Sequence, residues 1–226
     1  MLSRQFLVDR GYCCGHGCLM CPYIPKHIKG NTNMKKHKVL IVSALEIETQ
    51  GQLNTWDTLY TGVGKVNATY EMTKFLESWG TEFPYDLVIN YGTAGSRKIK
   101  KKTLVDCTKF VQRDMDVTGL GFMRGETPFE KEPPLMLETK SDFNPIGRHA
   151  TCGSGDCFVE DKSQYYGEVV DMEAYALAKV CYLYDKPFIS FKYITDGADE
   201  QAHEDWENNL ADGIQEFKTQ ILQQIK

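Results

Sequence analysis

Three carboxylates beside apolar segments are the residues of this sequence best suited to chemistry. Glu48 follows the apolar run 39–42, Glu173 begins an apolar stretch, and Asp196 follows the run 187–191. Two carboxyl groups in different environments can cleave a glycosidic bond, because one protonates the leaving group while the other activates water. Acids are also common at helix N-termini. Helix capping is therefore the alternative interpretation of each carboxylate.

The surrounding elements predict an α/β fold. Buried strands are expected at 39–42, 86–90, 103–113 and 187–196, and helices at 65–79, 172–183 and, as one long amphipathic helix, 210–225. Strands alternating with helices indicate a mixed, mostly parallel central sheet with helices on both faces. The strand at 86–90 is expected to end before Gly92 and Gly95.

Polar or glycine-rich segments follow the predicted strands. In α/β sheets, ligands bind at the carboxyl ends of the strands, so these segments are expected to converge on one site. They are 44–48, 61–65, 91–95 and 195–199. The Gly62-Val63-Gly64 segment alone is equally typical of a plain strand-to-helix turn, since it lacks the third glycine of a dinucleotide fingerprint.

Composition restricts the class of protein. The 226 residues carry a formal net charge of −5, whereas nucleic-acid binders usually have a basic surface. No apolar run is long enough to span a bilayer, and the N-terminus lacks the apolar core of a signal peptide. We therefore expect a cytoplasmic protein that binds neither nucleic acid nor membrane.

Residues 1–33 differ from the remainder and contain Cys13, Cys14, Cys18 and Cys21. They resemble a small bacterial cysteine-rich module of unknown function. In a reducing compartment such a cluster suggests zinc or an iron–sulfur centre, although adjacent Cys13 and Cys14 make ligation by all four thiols awkward. We predict a segment 1–33 with a possible metal site, and a catalytic domain at 34–226 that needs no cofactor.

Several segments together resemble the nucleoside phosphorylase superfamily, and most closely its branch of 5′-methylthioadenosine/S-adenosylhomocysteine nucleosidases. The matching segments are VLIVSALEIET (39–49), TGVGKVNA (61–68), LVINYGTAGS (87–96), RDMDVTGLGF (113–122), SGDCFV (154–159), VVDMEAYALAKVC (169–181) and ITDGADEQAH (194–203). The resemblance implies the same α/β fold and hydrolysis of the N-glycosidic bond of a purine nucleoside.

The resemblance also implies residue roles. Asp196 would protonate purine N7, with Thr195 orienting it, and Glu48 would activate water, with Glu46 as the nearby alternative. Glu173 would accept hydrogen bonds from the ribose hydroxyls. The remaining implied contacts are Met172 and Lys192 at the sugar; Phe158, Val159, Thr93, Ala94 and Gly95 at the base and water; and Val117, Leu120 and Trp206 at the 5′ group.

Departures from the family bear on the substrate and the nucleophile. Lys192 replaces an arginine, and Leu45, Leu120 and Trp206 replace a methionine and two phenylalanines, so the 5′ side is reshaped but apolar. No arginine lies between residues 38 and 95, whereas phosphorylases bind phosphate through arginines. The basic run 97–102 is more typical of a solvated loop. Water is therefore the expected nucleophile.

The expected substrate is a 5′-modified adenosine such as methylthioadenosine, S-adenosylhomocysteine or 5′-deoxyadenosine, with release of adenine. The alternatives are a phosphate-dependent purine nucleoside phosphorylase and a non-catalytic nucleoside-binding module. The resemblance further implies a homodimer whose partner helps to close the 5′ pocket.

Overall fold

A computed structural model describes residues 10–17, 23, 27–32, 37–130, 135–139 and 141–225. One mixed β-sheet organises these residues. Its strands are β1 (Val39–Ser43), β2 (Thr58–Tyr60), β3 (Leu87–Gly95), β4 (Leu104–Gln112), β5 (Leu137–Glu138), β6 (Ala150–Ser154), β7 (Val169–Asp171) and β8 (Phe188–Asp196).

The strand pairing is mostly parallel, which confirms the predicted fold class. β1 pairs in parallel with β2 and β3, β3 with β8, β4 with β6, and β6 with β7. β8 also pairs antiparallel with β4, and β3 meets β7 antiparallel at Gly95 and Val170. These contacts join β3, β8, β4, β6 and β7 into a closed ring.

Helices cover the sheet and bury its apolar side chains. They are α1 (Glu46–Thr49), α2 (Lys65–Trp79), α3 (Ala174–Leu183), α4 (Ala202–Asn209) and α5 (Gly213–Gln220). One core cluster packs α2 and α3 against the sheet, and a second packs α5 and the C-terminal turn against β1, β3 and β8. Among the described residues, no helix has the length and apolarity that crossing a bilayer requires.

The predicted helix at 65–79 is confirmed, but two other predictions were wrong in detail. β3 runs through Gly92 to Gly95, because the parallel partner β8 continues to hydrogen-bond this segment. The long helix at 210–225 is broken. α5 begins at Gly213, where the chain packs closely on β8, and a side chain at this position would collide with the Tyr193 ring. After Gln220 a 3-10 turn replaces the helix. The amphipathic pattern nevertheless correctly marks Ile214, Phe217 and Ile221 as buried.

Candidate active site

A cavity of about 350 Å³ lies at the carboxyl ends of β1, β3, β7 and β8. Segments that are distant in sequence therefore meet at one edge of the sheet, as expected for an α/β fold. The lining residues are Ala44, Leu45, Glu48, Val63, Thr93, Ala94, Gly95, Arg113, Cys157, Phe158, Val159, Val170, Asp171, Met172, Glu173, Asp196, His203 and Trp206.

Asp196 ends β8 and is buried in the cavity wall. Burial raises the pKa of its carboxyl group, and hydrogen bonds from the Ala198 N–H and the Thr195 hydroxyl only partly offset that effect. The Ala198 N–H donates to Oδ1 at 2.9 Å, and the Thr195 hydroxyl lies 2.8 Å from Oδ2. A carboxyl group with a raised pKa retains its proton closer to neutral pH and is suited to act as an acid.

The Thr195 hydroxyl can serve both protonation states of Asp196. Its oxygen also lies 3.3 Å from the carbonyl oxygen of Ala94. A hydroxyl has one proton and two lone pairs. It can therefore donate to an ionised Asp196, or donate to Ala94 while accepting from a protonated Asp196.

Gly95 makes room for the Asp196 carboxyl group. The β3–β8 register shifts between Ala94 and Gly95, which brings Gly95 opposite Asp196. A Cβ atom on Gly95 would lie under 3.0 Å from Asp196 Oδ1 and 3.1 Å from Ala198 Cβ. The close approach of the two strands thus depends on the missing side chain.

Glu48 is held by four hydrogen-bond donors. Oε1 accepts from the backbone N–H and the hydroxyl of Thr93, both at 2.8 Å, and Oε2 accepts from the Ser43 hydroxyl and the Leu45 N–H, both at 3.2 Å. Leu45 is the N-cap of α1, so Glu48 does act in helix capping. It also lines the cavity, and the four hydrogen bonds fix the orientation of its carboxyl group there.

Glu173 faces the cavity from the start of α3. It is the N-cap residue, yet its side chain makes no capping bond there; Oε1 instead accepts from the Gly64 N–H at 2.9 Å. Burial, reinforced by Asp171, raises the pKa of Glu173 to about 8. Glu173 thereby connects the loop before α2 to the start of α3. Its side chain does not cap α3, so the helix-capping interpretation does not hold for this residue.

A buried ion pair lies beneath Glu173. Lys192 Nζ contacts Asp171 Oδ2 at 2.7 Å, and both side chains are almost fully buried. Burial alone would lower the pKa of Lys192, but the Asp171 carboxylate outweighs it, so the pKa is raised. Asp171 Oδ2 also accepts from the Ala174 N–H at 2.9 Å and so caps α3.

Arg113 anchors the segment that carries Phe158 and Val159. Its guanidinium donates to the Gly155 carbonyl at 3.2 Å, to the Cys157 carbonyl and to Cys157 Sγ at 3.3 Å. Arg113 is only 1% exposed, so these hydrogen bonds are shielded from water. It places the Phe158 ring and the Val159 backbone on the same wall of the cavity.

The model of the phosphorylase superfamily matches residues 49–225. The chain belongs to the phosphorylase superfamily. It is 32% identical over 167 residues to the 5′-methylthioadenosine/S-adenosylhomocysteine nucleosidase of Baumannia cicadellinicola subsp. Homalodisca coagulata, covering 66% of this chain and 71% of that protein. It is 28% identical over 187 residues to the nucleosidase of the same name from Marinomonas sp. (strain MWYL1), covering 74% and 79%.

Solved structures agree on the fold of this superfamily member. The futalosine hydrolase of Helicobacter pylori strain 26695 matches with a TM-score of 0.71 at 22% identity, over 84% of this chain and 98% of that one. A mutant of the Helicobacter pylori nucleosidase, with 5′-methylthioadenosine in its active site, matches with a TM-score of 0.68 at 23% identity, over 79% and 93%. Because its relatives are nucleosidases, this superfamily member is an N-glycosidic bond hydrolase.

The structure brings most of the predicted site residues of this hydrolase to the cavity wall. They are Glu48, Thr93, Ala94, Gly95, Phe158, Val159, Met172, Glu173, Asp196 and Trp206. Thr195 and Lys192 lie directly behind the wall and contact Asp196 and Asp171 rather than the cavity itself.

Val117 and Leu120, which were predicted at the 5′ group, are not among the residues that line the cavity. The Thr118 N–H and hydroxyl bond to Asp116 Oδ1, which closes a turn, and a 3-10 turn follows over Thr118–Leu120. This turn directs Leu120 outward, where it is 76% exposed.

Sequence reasoning did not assign Arg113, Asp171, Cys157 or His203 to the site. Asp171 could have been found, because it directly precedes the predicted Met172 and Glu173. Arg113 begins a segment that matches the family. Its contacts are with residues 155–157, more than 40 residues later in the chain, and no spacing in the sequence indicates them. The basic run 97–102 lies outside the cavity, where Lys101 pairs with Asp205 and Lys102 with Asp212.

The cysteine-rich segment is described only in part. Cys18 and Cys21 lie outside the described residues, Cys13 is buried, and Cys14 is partly exposed. Within the described ranges, His, Cys, Asp and Glu side chains form no group of three or more suited to a metal ion.

Proposed function

We propose that this protein hydrolyses the N-glycosidic bond of a 5′-modified adenosine and releases adenine. The observation that carries the proposal is the pair of carboxyl groups in one cavity with opposite environments. Asp196 is buried with a raised pKa, whereas Glu48 accepts hydrogen bonds from four donors. Such a pair divides the acid and base roles that glycoside cleavage needs.

Asp196 is the proposed acid. Protonation of purine N7 lets the base leave as a neutral molecule, so the electrons of the broken C1′–N9 bond are accepted by the ring. The proton comes from the Asp196 carboxyl group, and the Thr195 hydroxyl donates to the carboxylate that remains. The Ala198 N–H holds Oδ1 in place during the change, in the space that Gly95 leaves free.

Glu48 is the proposed base. Cleavage leaves positive charge at C1′, and a water molecule that donates a proton to Glu48 attacks that carbon and forms the free sugar. Glu173 accepts hydrogen bonds from the ribose hydroxyls, and Met172 supports the sugar. Phe158 stacks on the base, and the Val159 backbone bonds to its edge.

Water is favoured over phosphate as the nucleophile. Among the described residues, Arg113 is the one arginine or lysine in the cavity wall, and its guanidinium is bonded to the 155–157 segment. Lys192 is paired with Asp171. The competing proposals are a phosphorylase, which requires a cation available for phosphate, and a non-catalytic nucleoside-binding module.

The test incubates the protein with 5′-methylthioadenosine, with and without phosphate, and identifies both products. We expect adenine and the free thioribose at a rate independent of phosphate, and loss of turnover by at least 100-fold in D196N and in E48Q. A sugar 1-phosphate that appears only with phosphate would establish the phosphorylase instead. Binding of the nucleoside without any turnover would support the binding module.

The 5′ substituent is proposed to lie against Leu45, Val63 and Trp206, which are apolar residues of the cavity wall. Adenosines that differ only at the 5′ position test this directly. We expect kcat/KM to be higher with a 5′-alkylthio or 5′-deoxy group than with the 5′-hydroxyl. Equal values across the panel would contradict the assignment.

A homodimer is proposed as the assembly, with Val117 and Leu120 completing the 5′ side through the partner. Leu120 is 76% exposed, and Val66 and Tyr70 on α2 are 77% and 61% exposed. Val66 and Tyr70 are four residues apart on one helix and therefore adjacent on its surface, and contiguous exposed apolar groups are typical of an interface. Light scattering should give twice the chain mass of 25.8 kDa, and a monomer would refute the proposal.

Residues 1–33 are proposed as a segment separate from the catalytic domain 34–226. The proposed location of the protein is the cytoplasm. A metal at Cys13, Cys14, Cys18 and Cys21 would be detected by metal analysis of the full chain. The C18S/C21S variant is the control, and its hydrolytic activity should remain unchanged.

A further inference from the structure

Trp206 makes a polar contact in an otherwise apolar part of the cavity wall. It lies on α4, and its indole Nε1–H donates to the Thr93 hydroxyl at 3.0 Å. The same hydroxyl donates to Glu48 Oε1 at 2.8 Å. One side chain of the wall is therefore connected to the proposed base through a single intervening hydroxyl.

The direction of these hydrogen bonds is fixed by chemistry. An indole N–H can only donate, and a hydroxyl has a single proton. Once the Thr93 oxygen accepts from Trp206, its own proton is free to point toward Glu48. Bonds that are aligned in this way polarise one another and strengthen the last one.

The helix that carries Trp206 is itself held firmly. Asn209 Nδ2 donates to the Thr195 carbonyl at 2.9 Å, Ala202 is fully buried, and Asp205 pairs with Lys101. These contacts attach both ends and the middle of α4 to the neighbouring elements. The position of the indole is thus set before any ligand binds.

We infer that Trp206 is a positioning residue for the hydrolytic step, acting on Glu48 through the Thr93 hydroxyl. The inference rests on the proposed role of Glu48 as the base. The bond from Trp206 keeps the Thr93 proton on Oε1, and the Thr93 and Leu45 N–H groups hold the two oxygens of the carboxylate. The proposed base is then fixed in direction when water arrives.

The simpler interpretation is that Trp206 is only an apolar wall for the 5′ group. The two interpretations differ in what W206F should do. Phenylalanine keeps an aromatic ring but removes the N–H donor. If Trp206 positions Glu48, W206F lowers kcat by about five- to tenfold, as expected for the loss of one hydrogen bond, and by the same factor for every 5′ substituent.

A double-mutant cycle with Thr93 isolates the connection. In T93A the hydroxyl is absent, so adding W206F should lower kcat no further. In T93S the hydroxyl is retained, so W206F should again cost five- to tenfold. W79F is the matched control, since Trp79 packs among Phe75 and Tyr85 away from the cavity, and it should match the wild type.

The split between kcat and KM supplies an independent readout. The Trp206–Thr93 bond acts on Glu48 and not on the substrate, so the W206F effect that disappears in T93A should be on kcat, whereas a change of KM with the 5′ group would report only the apolar wall. If W206F lowered kcat equally in T93A and in the wild type, the inference would be overturned. It would also be overturned if the loss of kcat varied with the size of the 5′ group. A wild type that hydrolyses no nucleoside would instead overturn the proposed function itself.

Discussion

Substitution of Gly95 by alanine tests whether the position of Asp196 controls the rate. Gly95 is in the β3 strand with a backbone conformation that alanine can adopt, so the added methyl group acts through its volume alone. That methyl group would lie under 3.0 Å from Asp196 Oδ1, 3.1 Å from Ala198 Cβ and 3.2 Å from Asp196 Cγ. The carboxyl group must therefore move.

The size of the movement sets the expected effect. Ordinary contact begins at 3.4 Å, so Oδ1 must retreat by at least 0.4 Å, which is 3.4 minus 3.0 Å. Catalytic groups tolerate displacements of about 0.5 Å, and misplacement by about 1 Å can cost roughly 100-fold in rate. We expect G95A to lower kcat between about 10- and 100-fold, and overpacking to lower the free energy of unfolding by about 1–3 kcal/mol.

The assay is adenine release at saturating 5′-methylthioadenosine, combined with urea unfolding to confirm that each variant is folded. G92A is the graded comparison, because its methyl group would lie 3.3 Å from Glu48 Oε1 and Lys192 Nζ and should cost less than threefold. In the D196N background, G95A should have no further effect on kcat. A folded G95A within threefold of the wild type, or an undiminished effect in D196N, would refute the reasoning.

Two further predictions concern the buried charges beneath the cavity. The folded-state pKa of Glu173 is raised from 4.5 to about 8, so its stabilising contribution is complete below pH 4.5 and is lost as pH rises through about 8. The free energy of unfolding of E173Q, measured relative to that of the wild type, should therefore increase by more than about 1 kcal/mol between pH 5 and pH 8.5. If urea unfolding gave the same pH dependence for both proteins, this prediction would be contradicted. K192M leaves Asp171 buried without its cation and should lower the free energy of unfolding by about 3–5 kcal/mol, whereas K192R should lose much less; equal losses in the two variants would show that the ion pair is not the cause.

Much of the fold was predictable because the strands are apolar along their whole length. Residues 39–42 and 188–191 are buried on both faces of the sheet, and this burial is what a continuous apolar pattern indicates. The end of β3 was not predictable, since Gly92 and Gly95 usually interrupt strands. They remain in β3 because β8 pairs alongside and because Glu48 and Asp196 occupy the space where side chains would be.

The candidate site was predictable where matched motifs carry the residues, and less so where contacts are set by packing. Glu173 and Asp196 lie in short motifs that the resemblance located directly. Lys192 was placed near the ribose, but the structure pairs it with Asp171, because a buried ammonium ion needs a counter-ion. Leu120 was expected at the substrate, yet its direction depends on a local turn made by Asp116.

The closed ring of strands has a consequence for how the site comes into existence. Its junction between Gly95 of β3 and Val170 of β7 joins positions 75 residues apart, and its β3–β8 pairing joins Val88 to Phe188, 100 residues apart. Contacts of such long sequence separation form late and slowly in folding, because a large loop must close first. The proposed base and the proposed acid come from positions 48 and 196, on either side of both loops. A partly folded chain, a nascent chain on the ribosome or a proteolytic fragment would consequently have no partial version of the site, and hydrolytic competence should appear in refolding only with the slowest structural phase.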